Sequence, residues 1–209
     1  MTKEKGILNC YRYHAVTIGF LGGELVRRVD PLHRSFGTFV REELSMPIDS
    51  ELHIGIPAEN IDVHQRIAPL VRKSSVKFEE VLPEMDEVTE LTNTCSGAFP
   101  IDFKGPNIFN DVQIHQAELP AANLITNARS LARLYAALIG DLDGGRTKAF
   151  IDENTLQRAT TCATPKDEPD STLFGLPTRF AMGFQTYGHF LNVLGDGVFG
   201  HNGKISVSQ

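Results

Sequence analysis

Apolar side chains repeat at helical spacing in two segments near the start of the chain. The first segment follows Tyr13, and its helix is predicted to end at Asp30–Pro31. The second helix is predicted to begin at an N-cap, Ser35, and to continue to about Leu44. The apolar stripes are Ile18, Leu21, Leu25 and Val26 in the first helix and Phe36, Phe39, Val40 and Leu44 in the second. Both stripes are expected to contribute to a core.

The first of these helices also carries glycines, at Gly19, Gly22 and Gly23. A helix face without Cβ atoms lets another backbone approach closely. We therefore expect a second segment of the chain to pack against the glycine face of this helix.

Further along the chain the helical pattern returns twice. Residues 107–117 show no regular pattern, and Thr126 is then predicted to cap a helix that continues to Leu138. Asp152 is predicted to cap a shorter helix over residues 155–160. The middle of the chain is therefore expected to be mainly helical.

After a polar loop at 164–171 the pattern changes to alternation. Strands are predicted at 181–187 and 190–194, paired around Gly188, and a third strand is predicted from residue 198 onward. Helices thus come first and strands last.

Composition and charge narrow the class of protein. A chain of 209 residues with 41% hydrophobic content can bury one substantial core, which predicts an ordinary globular domain. The formal net charge of -6 and the scattered Lys and Arg residues argue against a nucleic-acid partner. No apolar stretch is long enough to predict a membrane span.

The number and spacing of the cysteines argue against structural disulfide bonds and against a zinc site. Cys10, Cys95 and Cys162 are far apart and odd in number, so they predict neither a disulfide framework nor a zinc site. Together with the absence of Asn-x-Ser/Thr sites, this slightly favours an intracellular location.

Both ends of the sequence resemble cut ends. The polar start, Met1–Lys5, leads almost at once into an apolar segment, and Lys204–Gln209 alternates like a strand that stops without a partner. We therefore expect the sequence to be a fragment or a truncated gene product.

Two distant motifs resemble those of the class C β-lactamases and their esterase relatives. They are Tyr13–Leu25, in which a tyrosine precedes the glycine-bearing helix, and Phe199-Gly-His-Asn-Gly203. Their order and separation both fit the family. So do Glu118–Asn123, the helix Ala128–Leu138 that follows it, and the loop Phe174–Phe180.

The resemblance implies roles for four residues. Tyr13 stands at the family's catalytic tyrosine and is the expected proton shuttle for a serine and its leaving group. His201 to Gly203 occupy the K-T-G position, so His201 is expected to line the substrate pocket and Gly203 to let substrate lie against the strand. The backbone N–H of Lys204 is expected to be one oxyanion donor, and the nucleophile's own N–H the other. Ala15 stands where the β-lactamases have an asparagine, which resembles the esterase branch.

The family's nucleophile has no counterpart before the tyrosine. Only twelve residues precede Tyr13, and none of them forms the S-x-x-K motif. Ser74-Ser75-Val76-Lys77 matches the letters, but it follows the tyrosine and has charged flanks, so we interpret it as a chance match. No cofactor is expected. Neither the loop from Asp141 to Asp152 nor the histidines have metal-binding spacing, so no metal is expected either.

The fold implied by the resemblance is of the α+β class. It is an incomplete serine β-lactamase/transpeptidase-like fold, a helical lobe with part of an antiparallel sheet. Residues 1–209 would form a single partial domain, with the helical lobe over about 10–165 and the sheet strands over about 175–209.

Two functions stay open at this point. In the first, the full-length form hydrolyses a small-molecule ester or amide through an acyl-enzyme, and this chain is inactive for lack of the nucleophile. In the second, the chain is a non-catalytic interaction or structural protein derived from that fold, which associates with another protein or with itself through its incomplete sheet.

Overall fold

The computed structural model describes residues 13–71, 107–165, 169–170, 176–188, 191–195 and 197–201. These residues belong to two compact units. The helical unit comprises the described residues between 15 and 150, and the tyrosine unit comprises residues 13–14 and the described residues between 151 and 201. The single partial domain expected from the sequence, with its boundary near 165, stays a prediction.

Helix α1, Thr17–Val29, packs in the helical unit through its glycines. A Cβ atom at Gly19 would lie 2.5 Å from the backbone nitrogen of Ala121, and one at Gly23 would lie 3.0 Å from Pro120 Cγ. Contacts this close leave no room for a side chain. The expected approach of a second backbone to the glycine face is therefore confirmed.

The apolar stripe of α1 lies on the other side of the helix. Ile18, Leu21 and Leu25 are 55%, 67% and 60% exposed. At about 100° per residue, these three side chains point nearly opposite to Gly19 and Gly23, the two buried glycines, so the two groups cannot face the same neighbour. The expectation that the stripe contributes to a core is therefore wrong for these three residues, whereas Val26, the fourth residue of the predicted stripe, is half-buried.

Helix α2, Phe36–Phe39, begins at the predicted N-cap, where the Ser35 side chain accepts a backbone N–H three residues on. The chain continues directly as a π-helix over Val40–Ser45 and a 3-10 turn over Met46–Ile48. The helical path ends at Asp49, whose φ of 48° is left-handed. This segment therefore runs a few residues past its predicted end.

Short elements complete the helical unit. They are strand β1 (Leu52–His53), helix α3 (Ile61–Arg66), a 3-10 turn (Ile108–Asn110), helix α4 (Val112–Gln116), strand β2 (Ile125–Thr126), helix α5 (Ala128–Ile139) and a 3-10 turn (Asp143–Gly145). β1 and β2 pair antiparallel, with Leu52 opposite Thr126. Residues 107–117, irregular in pattern, are thus largely helical.

The core of the helical unit joins the α2 segment to β1 and α5. Its buried members are Val40, Ile48, Leu52, Ile54 and Ala137. Helix α5 is capped by Asn127, whose side chain accepts the Ser130 N–H at 2.9 Å, and not by Thr126 as predicted. The Thr126 hydroxyl lies in β2 and donates to the Glu51 carbonyl at 2.7 Å, so it is engaged across the strand pair.

The helices that the structure describes are short. The longest α-helices among them, α1 and α5, have 13 and 12 residues. A helix needs about 20 residues to cross a bilayer. None of the described helices combines the length and apolar character that crossing requires.

Among its described residues, the tyrosine unit has one α-helix, two strand pairs and a 3-10 turn. Helix α6 (Glu153–Thr160) is capped by Asp152 as predicted, since its side chain accepts the Thr155 N–H at 2.8 Å. The strands are β3 (Pro169–Asp170) with β4 (Leu176–Pro177) and β5 (Gln185–Thr186) with β6 (Phe199–Gly200), both antiparallel.

The predicted pairing of 181–187 with 190–194 is wrong. Residues Asn192–Leu194 form a 3-10 turn, closed by the Leu194 N–H donating to the Leu191 carbonyl at 2.9 Å. Strand β5 instead reaches the third predicted strand, β6. The turn at 191–194 therefore belongs to the connection between the two strands.

Candidate active site

Three aromatic rings of the tyrosine unit lie together. The ring centroids of Tyr13 and His201 are 5.8 Å apart, with planes tilted by 36°. Phe180 contacts both: it stacks almost parallel on Tyr13, at 5.5 Å and 7°, and its centroid is 6.3 Å from that of His201. We call these three residues the Tyr13 cluster. The fold thus brings together two residues from opposite ends of the chain.

One strand positions two members of the cluster. His201 directly follows β6, and Gly200 in β6 is opposite Gln185 in β5. Gln185 also forms an isolated antiparallel bridge with Phe180. Gly200 and Phe180 both form backbone bridges to Gln185. The backbone alone therefore places Phe180 near His201, which follows Gly200.

The electrostatics of Tyr13 follow from its burial. Partial desolvation raises the pKa of Tyr13 above the ordinary tyrosine value of about 10. The hydroxyl therefore carries its proton at neutral pH, where it can both donate and accept a hydrogen bond. A sheltered neutral phenol can take up one proton while it gives up another.

The other predicted site residues are not placed. Gly203 and Lys204 lie outside the described residues, and so does the rejected segment Ser74–Lys77. His201 is the last described residue of the chain and is exposed. The roles assigned to these residues from the sequence stay predictions.

Phe180 is the member of the cluster that the sequence analysis missed as a site residue. It belongs to the loop Phe174–Phe180, which supported the resemblance only as a segment. A single phenylalanine that precedes a strand is usually a packing residue. Only the bridge to Gln185 and the ring contact with Tyr13 distinguish it.

Two aspartates of the loop from Asp141 to Asp152 have cationic partners. Asp141 accepts from the Lys148 ammonium group at 2.7 Å, and Asp143 pairs with Arg133 at 2.8 Å. These cations hold the pKa of both carboxyl groups below the usual aspartate range. Within the described ranges, no group of three or more His, Cys, Asp and Glu side chains is arranged to hold a metal ion.

A cavity of about 260 Å³ lies in the helical unit, and none of its lining residues belongs to the Tyr13 cluster. Its polar groups include His53, Glu118 and Ser35. The Ser35 hydroxyl donates to Glu118 Oε1 at 2.6 Å, so this pair connects α2 to the segment that precedes the turn against α1. We interpret the cavity as a gap between packed segments, because two of its lining residues, Ser35 and Glu118, are bonded to each other.

Comparison with known proteins identifies the family of the chain. The beta-lactamase family model matches residues 9–208. The chain belongs to the beta-lactamase family. The resemblance noted from Tyr13 and Phe199–Gly203 is thereby confirmed.

A curated relative of this beta-lactamase family member is an esterase. The chain is 31% identical over 180 residues to the esterase/beta-lactamase LipL of Mycobacterium tuberculosis (strain ATCC 25618 / H37Rv). The match covers 82% of this chain and 39% of LipL. The chain therefore spans well under half the length of this relative.

Solved structures show the same fold. A penicillin-binding protein homologue from Caulobacter crescentus matches with a TM-score of 0.65 and 28% identity. A family VIII carboxylesterase matches with 0.70 and 26%. EstA from Arthrobacter nitroguajacolicus Rue61a, at 0.71 and 21%, shows the fold alone. Each match covers 93% of this chain. The shares of the three solved chains that are covered are 47%, 47% and 48%, in the order given. This family member thus has part of the α+β β-lactamase/transpeptidase fold.

Proposed function

We propose that this beta-lactamase family member hydrolyses small-molecule esters, or amides, in a chain that includes the family's S-x-x-K serine. The observation that carries the proposal is the contact between Tyr13 and His201, whose ring centroids are 5.8 Å apart. The raised pKa of Tyr13 supports it, since a protonated hydroxyl is ready to serve as a shuttle.

The proposed reaction passes through an acyl-enzyme. The Tyr13 hydroxyl passes its own proton to the leaving oxygen or nitrogen while it takes up the proton of the attacking serine, so that the hydroxyl is neutral before and after the serine oxygen replaces the leaving group on the carbonyl carbon. Water then attacks the acyl-enzyme with the same proton relay, which breaks the bond to the serine oxygen and releases the carboxylic acid. His201 and Gly203 line the substrate site, and the backbone N–H of Lys204 donates to the oxyanion.

Esters are the preferred substrate class within this proposal. Ala15 stands where the β-lactamases carry an asparagine, which favours the esterase branch. The names of two relatives, an esterase/beta-lactamase and a family VIII carboxylesterase, point the same way. No cofactor or metal has a part in the proposed steps.

Removal of the Tyr13 hydroxyl tests the proposal. In a chain extended upstream to include the S-x-x-K segment, Tyr13→Phe is expected to lower kcat on nitrophenyl esters by about 10²- to 10⁴-fold, the usual contribution of a positioned acid–base group. Tyr187→Phe is the matched control, because Tyr187 donates its hydroxyl to Gln185 and lies outside the cluster. Unchanged turnover in Tyr13→Phe would contradict the assigned role.

The chain of 209 residues is proposed to be inactive by itself. No S-x-x-K motif precedes Tyr13, so no nucleophile stands in the family position. The purified chain is expected to show no turnover of nitrophenyl esters above buffer and no labelling by a serine-directed fluorophosphonate. Labelling that is lost in Ser74→Ala would instead identify Ser74 as a nucleophile.

The second candidate function is association without catalysis, as predicted from the incomplete sheet. The exposed stripe of α1, Ile18, Leu21 and Leu25, favours it further, since contiguous apolar surface promotes association. Sedimentation of the purified chain is expected to show an oligomer that dissociates when Leu21 and Leu25 are both changed to Glu. Val193→Glu is the control, because Val193 is exposed in the tyrosine unit. A monomer at all concentrations would remove this candidate.

A further inference from the structure

Phe180 and Tyr13 form the closest ring pair of the Tyr13 cluster. Their planes are within 7° of parallel and their centroids are 5.5 Å apart. Aromatic pairs favour offset-stacked or edge-to-face arrangements over a face-to-face sandwich, and this pair is of the offset-stacked kind. Phe180 therefore covers one face of the tyrosine ring and limits the directions in which its hydroxyl can point.

The backbone of Phe180 is held from both sides. Its N–H donates to the Thr164 hydroxyl oxygen at 3.0 Å, and its carbonyl accepts the Ala163 N–H at 2.7 Å. The Thr164 hydroxyl in turn donates to the Thr178 carbonyl at 2.9 Å. A residue fixed at both its backbone groups has little freedom to move its ring away from a neighbour.

The segment that holds Phe180 is itself anchored to helix α6. Ala163 and Thr164 follow this helix closely, and the Ala159 carbonyl within it accepts the Met182 N–H at 2.9 Å. The two anchored residues that flank Phe180 are Thr178, bonded to Thr164, and Met182, bonded to Ala159. The ring of Phe180 is thus presented from a hydrogen-bonded loop attached to a capped helix, which makes it a fixed surface for Tyr13.

We propose that Phe180 is the positioning residue of the site: it orients the Tyr13 ring and shields it from water, so that the hydroxyl meets the reacting atoms in one geometry. This inference rests on the proposed function, in which Tyr13 passes the proton. Phe180 acts through Tyr13 and does not take part in the bond changes. The direction of the Tyr13 pKa shift agrees with such shielding.

The first test is spectroscopic and uses the chain of 209 residues. The phenolate absorbance of Tyr13 is followed against pH and identified by its loss in Tyr13→Phe. Phe180→Leu is expected to bring the Tyr13 titration down toward the ordinary value of about 10, because water gains access to the ring. Phe180→Trp keeps an aromatic face and is expected to retain the raised titration. A Tyr13 titration that is unchanged in Phe180→Leu overturns the proposal.

Phe184→Leu is the matched control for this titration. Phe184 lies in the same loop region, and its ring contacts Phe199 edge-on at 5.1 Å. The same loss of a ring there is expected to leave the Tyr13 titration in place. An equal shift in Phe184→Leu and Phe180→Leu would show a general loosening of the unit and would contradict the proposal.

A second pair of variants covers the case in which Phe180→Leu does not fold. Thr164→Val removes the oxygen that accepts the Phe180 N–H, whereas Thr164→Ser retains it. The valine variant is expected to shift the Tyr13 titration in the same direction as Phe180→Leu, and the serine variant is expected to restore it. Identical titrations in both Thr164 variants would contradict the backbone anchoring.

A further test measures catalysis in the chain extended upstream to include the S-x-x-K segment. Phe180→Leu is expected to lower kcat about 10- to 100-fold with KM nearly unchanged, because misplacement of a catalytic group by about 1 Å can cost 10²-fold. The same change in a Tyr13→Phe background is expected to have no further effect on kcat. A full additional loss in that background overturns the positioning role.

The two proposals fail in different ways. If Tyr13→Phe leaves kcat unchanged, the proposed function fails and so does the catalytic part of this inference. The phenolate titration still decides whether Phe180 shields the Tyr13 ring. If Tyr13→Phe lowers kcat but Phe180→Leu does not, the proposed function stands and the positioning role is wrong.

Discussion

The helical unit and the tyrosine unit are stabilised in different ways. The helical unit has a core in which Ile48 is fully buried, and the buried Asn123 amide donates to the Ile114 and Ala117 carbonyls and accepts from the Leu119 N–H. The described part of the tyrosine unit has short strand pairs, a capped helix and stacked rings. The unit with the better core therefore does not carry the candidate catalytic tyrosine.

The well-packed core and the candidate catalytic residues therefore lie in different units of the chain. A packed core tolerates little change, whereas loops and short strands can present polar and aromatic groups in many arrangements. In the tyrosine unit, the positions of Phe180 and His201 depend on a few backbone hydrogen bonds through Gln185. Changes in the two units are therefore expected to affect different measurements.

The largest expected change in stability comes from the core. Ile48→Ala removes a fully buried side chain and is expected to cost about 2 to 5 kcal/mol of unfolding free energy, measured by denaturant titration. Val193→Ala, in the tyrosine unit at 88% exposure, is expected to stay within about 0.5 kcal/mol of the parent. Similar losses in both variants would contradict the contrast between the units.

The glycine face of α1 gives a matched pair within one helix. Gly19→Ala places a methyl group against the Ala121 backbone and is expected to destabilise the helical unit by about 1 to 3 kcal/mol. Gly22→Ala meets no atom within 4 Å and is expected to stabilise it by about 0.5 to 1 kcal/mol through helix propensity. Thermal unfolding of both variants checks the opposite signs. Equal signs would place the packed face of α1 elsewhere.

Two helix caps compare the units directly. Asn127→Ala removes the cap of α5, which buries Ala137 in the core, and is expected to lower global stability by about 1 kcal/mol. Asp152→Ala removes the cap of α6, in which no residue is buried, and is expected to speed hydrogen exchange within 153–160 with little global effect. Global destabilisation by Asp152→Ala would show that α6 unfolds together with the core.

The smallest effect concerns pH. Burial lowers the pKa of His53 below the ordinary value, so the folded chain binds this proton less readily than the unfolded chain does. Stability is therefore expected to fall as pH drops below about 6.5, and the loss levels off below the folded pKa. Because His53 is only half-buried and water screens its charge, we expect the unfolding free energy to fall by less than about 1 kcal/mol. His53→Gln should flatten this slope in denaturant titrations at several pH values; an unchanged slope would assign it to other groups.

Local features of the fold could be predicted from the sequence. The Ser35 and Asp152 caps and the end of α1 at Asp30 each depend on residues within a turn or two of one another. The glycines of α1 predicted that some backbone would approach this helix, but only the tertiary structure identifies Ala121 as the partner of Gly19. The Asn127 cap was missed because Thr126 and Asn127 are both good caps. A strand contact to Glu51, distant in sequence, decided between them.

The family and the two candidate residues Tyr13 and His201 followed from the order of the motifs alone, since short motifs keep their residue types wherever the same chemistry is needed. Tertiary structure decided the rest. It determined that the stripe of α1 is exposed, that β5 pairs with β6 past an intervening turn, and that Phe180 stacks on Tyr13. Each of these depends on contacts between residues far apart in the chain, and local periodicity carries no information about which distant segment covers a given face.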